Sequence, residues 1–464
     1  MKVSLMKKKM KNHLLKKCLM SMTIANIILN ALVVPTLFAA GNDLMLKESI
    51  NSTTTHIEKK VQIPSVDSLG LNVKAAILME VSTGEILLNV NSDEARRPAS
   101  MVKMMTEYIV ADQIKQGEFA WDDVVVVNKN AAKSIGSRIY LDEGDTHTVK
   151  ELYIAMSIGS ANDATVALAE YVAGSEENFV KMMNEEAQRM GMQNTYFINS
   201  TGLDRADMPA DYQPIEERET MMSARDAAIL CRRIIQDMPE YKEFTTIQSY
   251  KFRTYDKDSI INSNWMLEAN KNIASFKSYA YEGLDGMKTG RTTKAGNNFT
   301  GTAERNGLRF ISVVMGTDSE SARFRQTQKV LDYGFNNFEV KQVINANNKV
   351  TNWEAISLKK GKKTTVSTVI DKSVSFVVPK GTKDLDITFK VNMFSDDQRV
   401  APIMKGTTIG TVTYTYDMEG MDTQERTVNL ITAEEAEKGG WFRLLCRAVK
   451  LFFADFFYSV KNLF

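Results

Sequence analysis

Three short motifs contain residue types that could carry out acyl transfer. Ser100 and Lys103 form S-x-x-K at the start of a stretch with helical character. This spacing places both side chains on one helical face, one turn apart. A serine hydroxyl becomes an effective nucleophile when a base removes its proton, and burial or a neighbouring cation can turn lysine into that base. An N-cap serine followed by a solvated lysine is the competing interpretation of this motif alone.

The two other motifs offer groups that could complete such a site. Ser160 and Asn162 form S-x-N before a helical run, where a hydroxyl and an amide could transfer a proton or hold a substrate amide. Lys288, Thr289 and Gly290 form K-T-G in a segment typical of a strand edge. A cation and a hydroxyl there suit a substrate carboxylate, and an extended peptide could add to the edge. Taken alone, the S-x-N motif is better explained by a helix cap at Ser160, and an exposed turn is the alternative interpretation of K-T-G.

The order S-x-x-K, S-x-N, K-T-G resembles that of the penicillin-binding proteins and class A β-lactamases. The text around the motifs, at 98–106, 160–164 and 283–290, is similar to that of the D-alanyl-D-alanine carboxypeptidases. These are low-molecular-mass penicillin-binding proteins of the DacA type, peptidase family S11. Segments 199–204 and 223–226 also resemble the family. The resemblance implies a serine-type carboxypeptidase that removes the terminal D-Ala from peptidoglycan stem pentapeptides and is acylated by β-lactam antibiotics.

The resemblance also implies roles for the candidate residues. Ser100 would attack the carbonyl between the last two D-Ala residues, with Lys103 as general base. The backbone N–H groups of Ser100 and Arg291 would stabilise the oxyanion. Arg291 departs from the family, where His or Phe is common, so substrate preference could differ. Arg323 stands where family members often carry a carboxylate-binding arginine.

The remaining site residues would orient the substrate. The resemblance implies that Ser160 and Asn162 support proton transfer and amide binding. It implies that Lys288 and Thr289, followed by Gly290, hold the terminal carboxylate of the peptide or of the β-lactam. No metal or organic cofactor is expected, and the chain contains only three histidines and three cysteines without a C-x-x-C motif. A disulfide scaffold or zinc ribbon is therefore not expected.

The formal net charge of +1 over 464 residues argues against binding to nucleic acid, but it conceals a strongly basic start. Residues 1–40 contain seven lysines and no acidic residue, and the lysines precede an uncharged stretch over 18–40. This order is typical of a secretory signal peptide. It predicts export to the outer face of the cytoplasmic membrane or the cell wall. An uncleaved signal anchor is the alternative.

The C-terminal segment is also basic, and its pattern is amphipathic. At 100° per residue, Arg443, Arg447, Lys450 and Lys461 fall within about 60° of one another, opposite a phenylalanine-rich side. No uncharged run approaches the ~20 residues needed to cross a bilayer. The pattern predicts a helix lying on an anionic membrane surface. A core helix packed against its own protein is the alternative.

The sequence between these ends predicts an α+β fold. We expect a spacer at 41–72, a β-lactamase/penicillin-binding transpeptidase-like domain at 73–338, a small all-β domain at 339–435 and the amphipathic helix at 440–464. Within the large domain, 149–173 is predicted as a helical stretch and 286–314 as two strands around Asn306-Gly307, a strong hairpin signal.

Three other functions fit parts of the pattern. A β-lactamase is disfavoured, because no convincing E-x-x-L-N-type segment lies between Asn162 and Lys288 to supply the deacylating carboxylate of class A enzymes. A non-catalytic penicillin-recognising or wall-binding protein is disfavoured by the intact motif residues. An endopeptidase that cuts cross-links on the same scaffold stays open.

Overall fold

The structure is a computed structural model that describes residues 63–383, 385–418 and 421–461. The predicted signal peptide at 1–40, residues 41–62 of the predicted spacer and the last three residues lie outside the described residues. The described residues of the spacer, from 63 onward, include a short 3₁₀ turn at Val66–Leu69.

The chain up to residue 337 alternates strands and helices. In chain order the elements are β1 (Ala75–Glu80), β2 (Ile86–Val90), α1 (Lys103–Gln116), β3 (Val124–Val126), α2 (Lys129–Lys133), β4 (Thr146–Thr148), α3 (Val149–Gly159), α4 (Asn162–Ala173), α5 (Glu176–Arg189), α6 (Ala224–Asp237), α7 (Lys242–Thr245), β5 (Ser249–Tyr250), β6 (Ile260–Ile261), β7 (Leu284–Thr292), β8 (Gly296–Arg305), β9 (Leu308–Thr317) and α8 (Glu320–Asn337).

An antiparallel sheet with the strand order β2-β1-β9-β8-β7 organises this region. The hairpin predicted at Asn306-Gly307 is confirmed, because both residues have positive φ (52° and 79°) and join β8 to β9. The prediction of two strands over 286–314 is wrong in number, since β7 precedes that hairpin as a third strand. β7 lies at the edge of the sheet, as the K-T-G pattern predicted.

The sheet is covered on both faces. Side chains alternate across a strand, so Ala76 and Leu78 of β1 join a core with α8, whereas Ala75 and Ile77 join another with α1 and α6. A further core lies around α3 and α4. The sheet and the helices α1 and α3 to α4 therefore support the three motifs from different directions.

The helical stretch predicted over 149–173 is interrupted at the S-x-N motif. α3 begins with a capping box, in which Glu151 N–H donates to Thr148 Oγ1 at 3.2 Å and Thr148 N–H donates to Glu151 Oε2 at 2.9 Å. It ends because Ser160 adopts the left-handed conformation, with φ of 58°. A left-handed residue cannot continue a right-handed helix. The prediction of a continuous helix over 149–173 is therefore wrong at Ser160, where α3 ends before α4 begins.

The region from residue 338 is rich in strands, as predicted. Its elements are β10 (Phe338–Ile344), β11 (Ala355–Ser357), β12 (Thr365–Ile370), β13 (Val374–Pro379), β14 (Ile387–Met393), β15 (Thr408–Tyr416), β16 (Gln424–Thr432) and α9 (Trp441–Lys461). One sheet has the order β11-β12-β16-β15-β14, and β10 pairs with β13. β10 was not predicted from the sequence. Arg426 Nη2 of β16 donates to Glu85 Oε2 in the β1–β2 turn at 3.1 Å.

The terminal segment forms the predicted helix, but two of its cations contact protein. Arg447 donates to the carbonyls of Gly361 (3.0 Å) and Lys362 (3.3 Å), and Arg443 donates to Lys362 O at 3.4 Å. The basic side of α9 thus lies partly against the β-rich region, while large apolar side chains such as Trp441 stay exposed. Among the described residues, no helix combines the length and apolar character required to cross a membrane.

Candidate active site

Ser100 lies in a 3₁₀ turn (Ala99–Val102) that leads directly into α1. The side chain of Asn298, on β8, donates to the carbonyls of Arg97 (3.1 Å) and Pro98 (3.2 Å) and so fixes the chain just before the serine. Ala99 has a φ of 49°, an uncommon conformation for a non-glycine residue. The turn leaves Ser100 partly exposed at the start of a buried helix.

Lys103 is fully buried beneath the serine. Its Nζ lies 3.3 Å from Ser100 Oγ and donates to Asn162 Oδ1 at 2.7 Å and to Thr201 O at 2.8 Å. Burial holds the pKa of Lys103 well below its usual value, and the charge of Lys288 lowers it further. A neutral amine has two N–H donors and one lone pair. The two acceptor oxygens around Nζ match the two N–H donors of a neutral amine, and the Ser100 hydroxyl matches its lone pair.

The S-x-N turn brings its amide to the lysine and keeps its hydroxyl unbonded. Asn162 is anchored by its backbone N–H to Ser137 O (2.7 Å) and by Nδ2 to Ile135 O (2.6 Å), which directs Oδ1 towards Lys103. Ser160 Oγ is buried and has no hydrogen-bond partner among the described residues. Its hydroxyl is therefore available for a substrate or a proton transfer.

The K-T-G strand packs directly against the turn that contains Ser100. A Cβ on Gly290 would stand 2.4 Å from Pro98 O, so only glycine permits this approach. Thr289 Oγ1 lies 2.9 Å from Ser263 Oγ, and Ser263 N–H donates to Ile158 O at 3.1 Å, two residues before Ser160. The strand edge is thereby joined to the S-x-N turn.

Three cations are associated with this strand: Lys288 and Arg291 belong to β7, and Arg323 belongs to α8. Lys288 and Arg323 are buried, whereas Arg291 is exposed. Burial and the charge of Arg323 lower the pKa of Lys288 to about 8. Burial also lowers the pKa of Arg323 to about 10, with a smaller contribution from Arg291. Lys288 and Arg323 form no direct ion pair within the described part of the chain, and buried cations of this kind provide a site for an anionic ligand.

Segment 199–204 resembles the family, but its residues were not among those predicted for the site. Thr201 supplies a carbonyl to Lys103. Gly202, with φ of +83°, lies where a Cβ would come within 2.0 Å of Ala99 O. The N–H of Gly202 donates to Asn199 Oδ1 at 2.7 Å, which holds the loop in this shape. The glycine of the N-S-T-G sequence could have indicated a special backbone conformation at Gly202. Its close approach to Ala99 O depends on tertiary packing and could not be predicted from the sequence.

Comparison with known proteins decides the family. The family described as D-alanyl-D-alanine carboxypeptidase matches residues 60–319, more than half of the chain. The chain belongs to the D-alanyl-D-alanine carboxypeptidase family. The domain described as the C-terminal domain of penicillin-binding protein 5 matches residues 338–438. The family assignment and the α+β fold with a C-terminal β domain are thus confirmed, and the chain is a hydrolase of the penicillin-binding protein class.

Individual relatives cover most of the chain. D-alanyl-D-alanine carboxypeptidase DacF of Bacillus subtilis is 32% identical over 82% of this chain and 90% of its own length. DacA of Escherichia coli K12 is 30% identical over 86% of this chain and 91% of its own. The crystal structure of penicillin binding protein 5 from Haemophilus influenzae superposes with a TM-score of 0.64, at 29% identity over 82% of this chain and all of that one. These similarities favour the carboxypeptidase over the β-lactamase and the non-catalytic protein.

Proposed function

We propose that Ser100 is the acylated nucleophile of this D-Ala-D-Ala carboxypeptidase and that Lys103 is its general base. The observation that carries the proposal is the position of Lys103 Nζ, buried and 3.3 Å from Ser100 Oγ with two acceptor oxygens on its other sides. A neutral lysine in this setting accepts the hydroxyl proton as Ser100 attacks the peptide carbonyl. D-Ala leaves, and water then hydrolyses the acyl-enzyme.

The substrate is held in an extended form along β7. The C-terminal carboxylate binds at Lys288 and Thr289, with Arg323 behind them. The backbone N–H groups of Ser100 and Arg291 stabilise the oxyanion, and the unbonded hydroxyl of Ser160 passes the proton to the leaving amine. β-Lactams carry a carboxylate and a strained amide, so they acylate Ser100 through the same contacts.

The decisive experiment compares wild type with Ser100→Ala in two assays. Wild type is expected to bind fluorescent penicillin covalently and to release D-Ala from a pentapeptide ending in D-Ala-D-Ala, whereas Ser100→Ala does neither. Ser395→Ala, at an exposed serine of the β-rich region, is the matched control and retains both activities. Labelling that persists in Ser100→Ala rejects the assignment. Rapid turnover of the β-lactam without D-Ala release supports the β-lactamase instead.

We also propose that the protein is exported and lies on an anionic membrane surface through α9. The basic and apolar order of residues 1–40 supports export. Exposed Trp441, Phe442 and Phe452 on α9 support the membrane contact, because isolated proteins rarely leave such a patch uncovered. We propose that the chain is divided accordingly into a signal peptide (1–40), a spacer (41–72), the catalytic domain (73–338), the β-rich domain (339–435) and the helix (440–464).

A further inference from the structure

A buried carboxylate lies one helical turn beyond the proposed base. Glu107 of α1 is 3% exposed, although a carboxylate is rarely buried without a charged partner. Ser157 of α3 hydrogen-bonds to it, and its Oε1 has no hydrogen-bond partner in the described part of the chain. It forms no direct ion pair there. The mechanism above makes no use of this group.

The charged groups that act on Glu107 are the two active-site lysines. Lys288 belongs to β7 and Lys103 to the same helix as Glu107, and each favours the charged carboxylate. The other titratable side chains near it are Tyr153 of α3 and Cys231 of α6, whose pKa values burial raises, so both are neutral at neutral pH. Glu107 therefore faces two amines and no second anion on these elements.

The two amines need opposite protonation states for the proposed reaction. Lys103 must be neutral to accept the proton of Ser100, whereas Lys288 must be charged to bind a carboxylate. Burial disfavours the charged form of both. Among the described residues, Glu107 is the carboxylate that acts on Lys288, whereas Lys103 is acted on by Glu107 together with Asp163 and Glu176.

We propose that Glu107 is a positioning residue that keeps Lys288 protonated while Lys103 stays neutral. It acts through the two lysines, and above all through Lys288, and does not touch the substrate. The charged Lys288 in turn disfavours a second positive charge on Lys103, so one carboxylate sustains one ammonium in the buried site. This inference rests on the proposed function, because it requires Ser100 to be acylated by way of Lys103.

The proposal fixes the direction of a pH effect. The acylation rate rises with pH as Lys103 loses its proton and falls at higher pH as Lys288 loses its own. Glu107 raises the pKa of both lysines, so Glu107→Gln lowers both and shifts both limbs of the profile to lower pH. We expect about one pH unit at the alkaline limb. The acid limb moves less, because the pKa of Glu107 itself is raised to about 7 and its charge fades there.

The test measures the rate of acylation by benzylpenicillin against pH for wild type, Glu107→Gln and Glu107→Asp. The glutamine variant is expected to shift both limbs to lower pH. In the aspartate variant, the alkaline limb is expected to return at least part of the way to its wild-type position. Asp226→Asn, at another buried carboxylate that does not act on either lysine, is the matched control and leaves both limbs in place. A Glu107→Gln profile that is lower but not displaced shows a merely structural role and overturns the proposal.

A second variant keeps the proposal testable if Glu107→Gln does not fold. Ser157→Ala removes the hydrogen bond that lowers the pKa of Glu107, so the carboxylate loses its charge at higher pH. The limbs then move in the same direction as in Glu107→Gln, by a smaller amount. Unmoved limbs in Ser157→Ala overturn the proposal. Wild type that is not acylated at any pH refutes the proposed function instead, so the two failures are distinguishable.

Discussion

The catalytic domain and the terminal helix both reverse the usual distribution of residues, in opposite directions. The catalytic domain buries cations, since Lys103, Lys288 and Arg323 are 0%, 1% and 4% exposed. The helix exposes aromatic residues, since Trp441 and Phe452 are 77% and 67% exposed. Charged groups are ordinarily outside and large apolar groups inside. Each reversal is unfavourable to the isolated protein and therefore indicates a ligand or a surface.

The two reversals serve different physical ends. Burial changes the protonation of a lysine, which gives it a chemistry that an exposed lysine lacks. Exposure of aromatic side chains leaves apolar area available for a membrane. The first depends on distances of about 3 Å between specific atoms, whereas the second depends mainly on which side of a helix is apolar. The catalytic domain should therefore be the more sensitive of the two to single substitutions.

The largest effect is expected from removal of Lys103, the proposed base. Lys103→Met keeps most of the side-chain volume but cannot accept the proton of Ser100, so the acylation rate should fall by about 10³-fold or more. Lys115→Met, at an exposed lysine in the last turn of α1, should leave the rate unchanged. Benzylpenicillin acylation measures both. A Lys103→Met variant that acylates at the wild-type rate would remove this lysine from the mechanism.

The next largest effect on the acylation rate is expected from Gly202→Ala, which would crowd the turn that contains Ser100. The Cβ of Gly202→Ala would stand 2.0 Å from Ala99 O, so the turn must move, and a displacement near 1 Å costs about 10²-fold in rate. Gly117 has the same φ of +83° with nothing within 4 Å. Gly117→Ala thus reproduces the backbone strain alone and should leave acylation intact. Equal rates in the two variants would contradict the packing argument.

Deletion of the terminal helix should separate the two regions. A chain ending at Lys438 loses the exposed aromatic side chains, so its partition onto anionic vesicles should fall about tenfold or more. Its acylation rate should not change, because the described site residues all precede residue 338. Sedimentation with anionic and neutral vesicles measures the first quantity. Unchanged binding to anionic vesicles would eliminate α9 as the membrane contact.

The smallest effect is expected where the catalytic domain meets the β-rich region. Arg426→Gln removes the ion pair with Glu85, and its partly exposed position indicates a loss of about 1 kcal/mol in the free energy of unfolding. The pKa of Glu85, already raised by burial, should rise further, because Arg426 lowers it. Urea unfolding measures the free energy of unfolding. Arg426→Lys should lose less of this free energy than Arg426→Gln, because lysine keeps the positive charge. A marked loss of acylation would show that the junction affects the site.

Much of the architecture follows from local patterns. Asn306-Gly307 predicted a hairpin, because backbone geometry restricts such turns to few residues, and the segment 339–435 was correctly predicted to be rich in strands. The ordered motifs identified the family. The amphipathic pattern of 440–464 predicted a helix for the same local reason. The roles of the individual site residues remain predictions.

Residue types and motif spacing indicate which groups could react, whereas the burial and the hydrogen-bond partners of those groups follow from the packing of distant segments. Thr201 is 98 residues from Lys103, yet its carbonyl lies 2.8 Å from Nζ. No spacing rule reports such a contact, because it depends on how separate elements pack. The same holds for the burial of Glu107 and for the hydrogen bond from Arg447 to Gly361 O. A local pattern predicts a helix face, but only the fold determines what that face contacts.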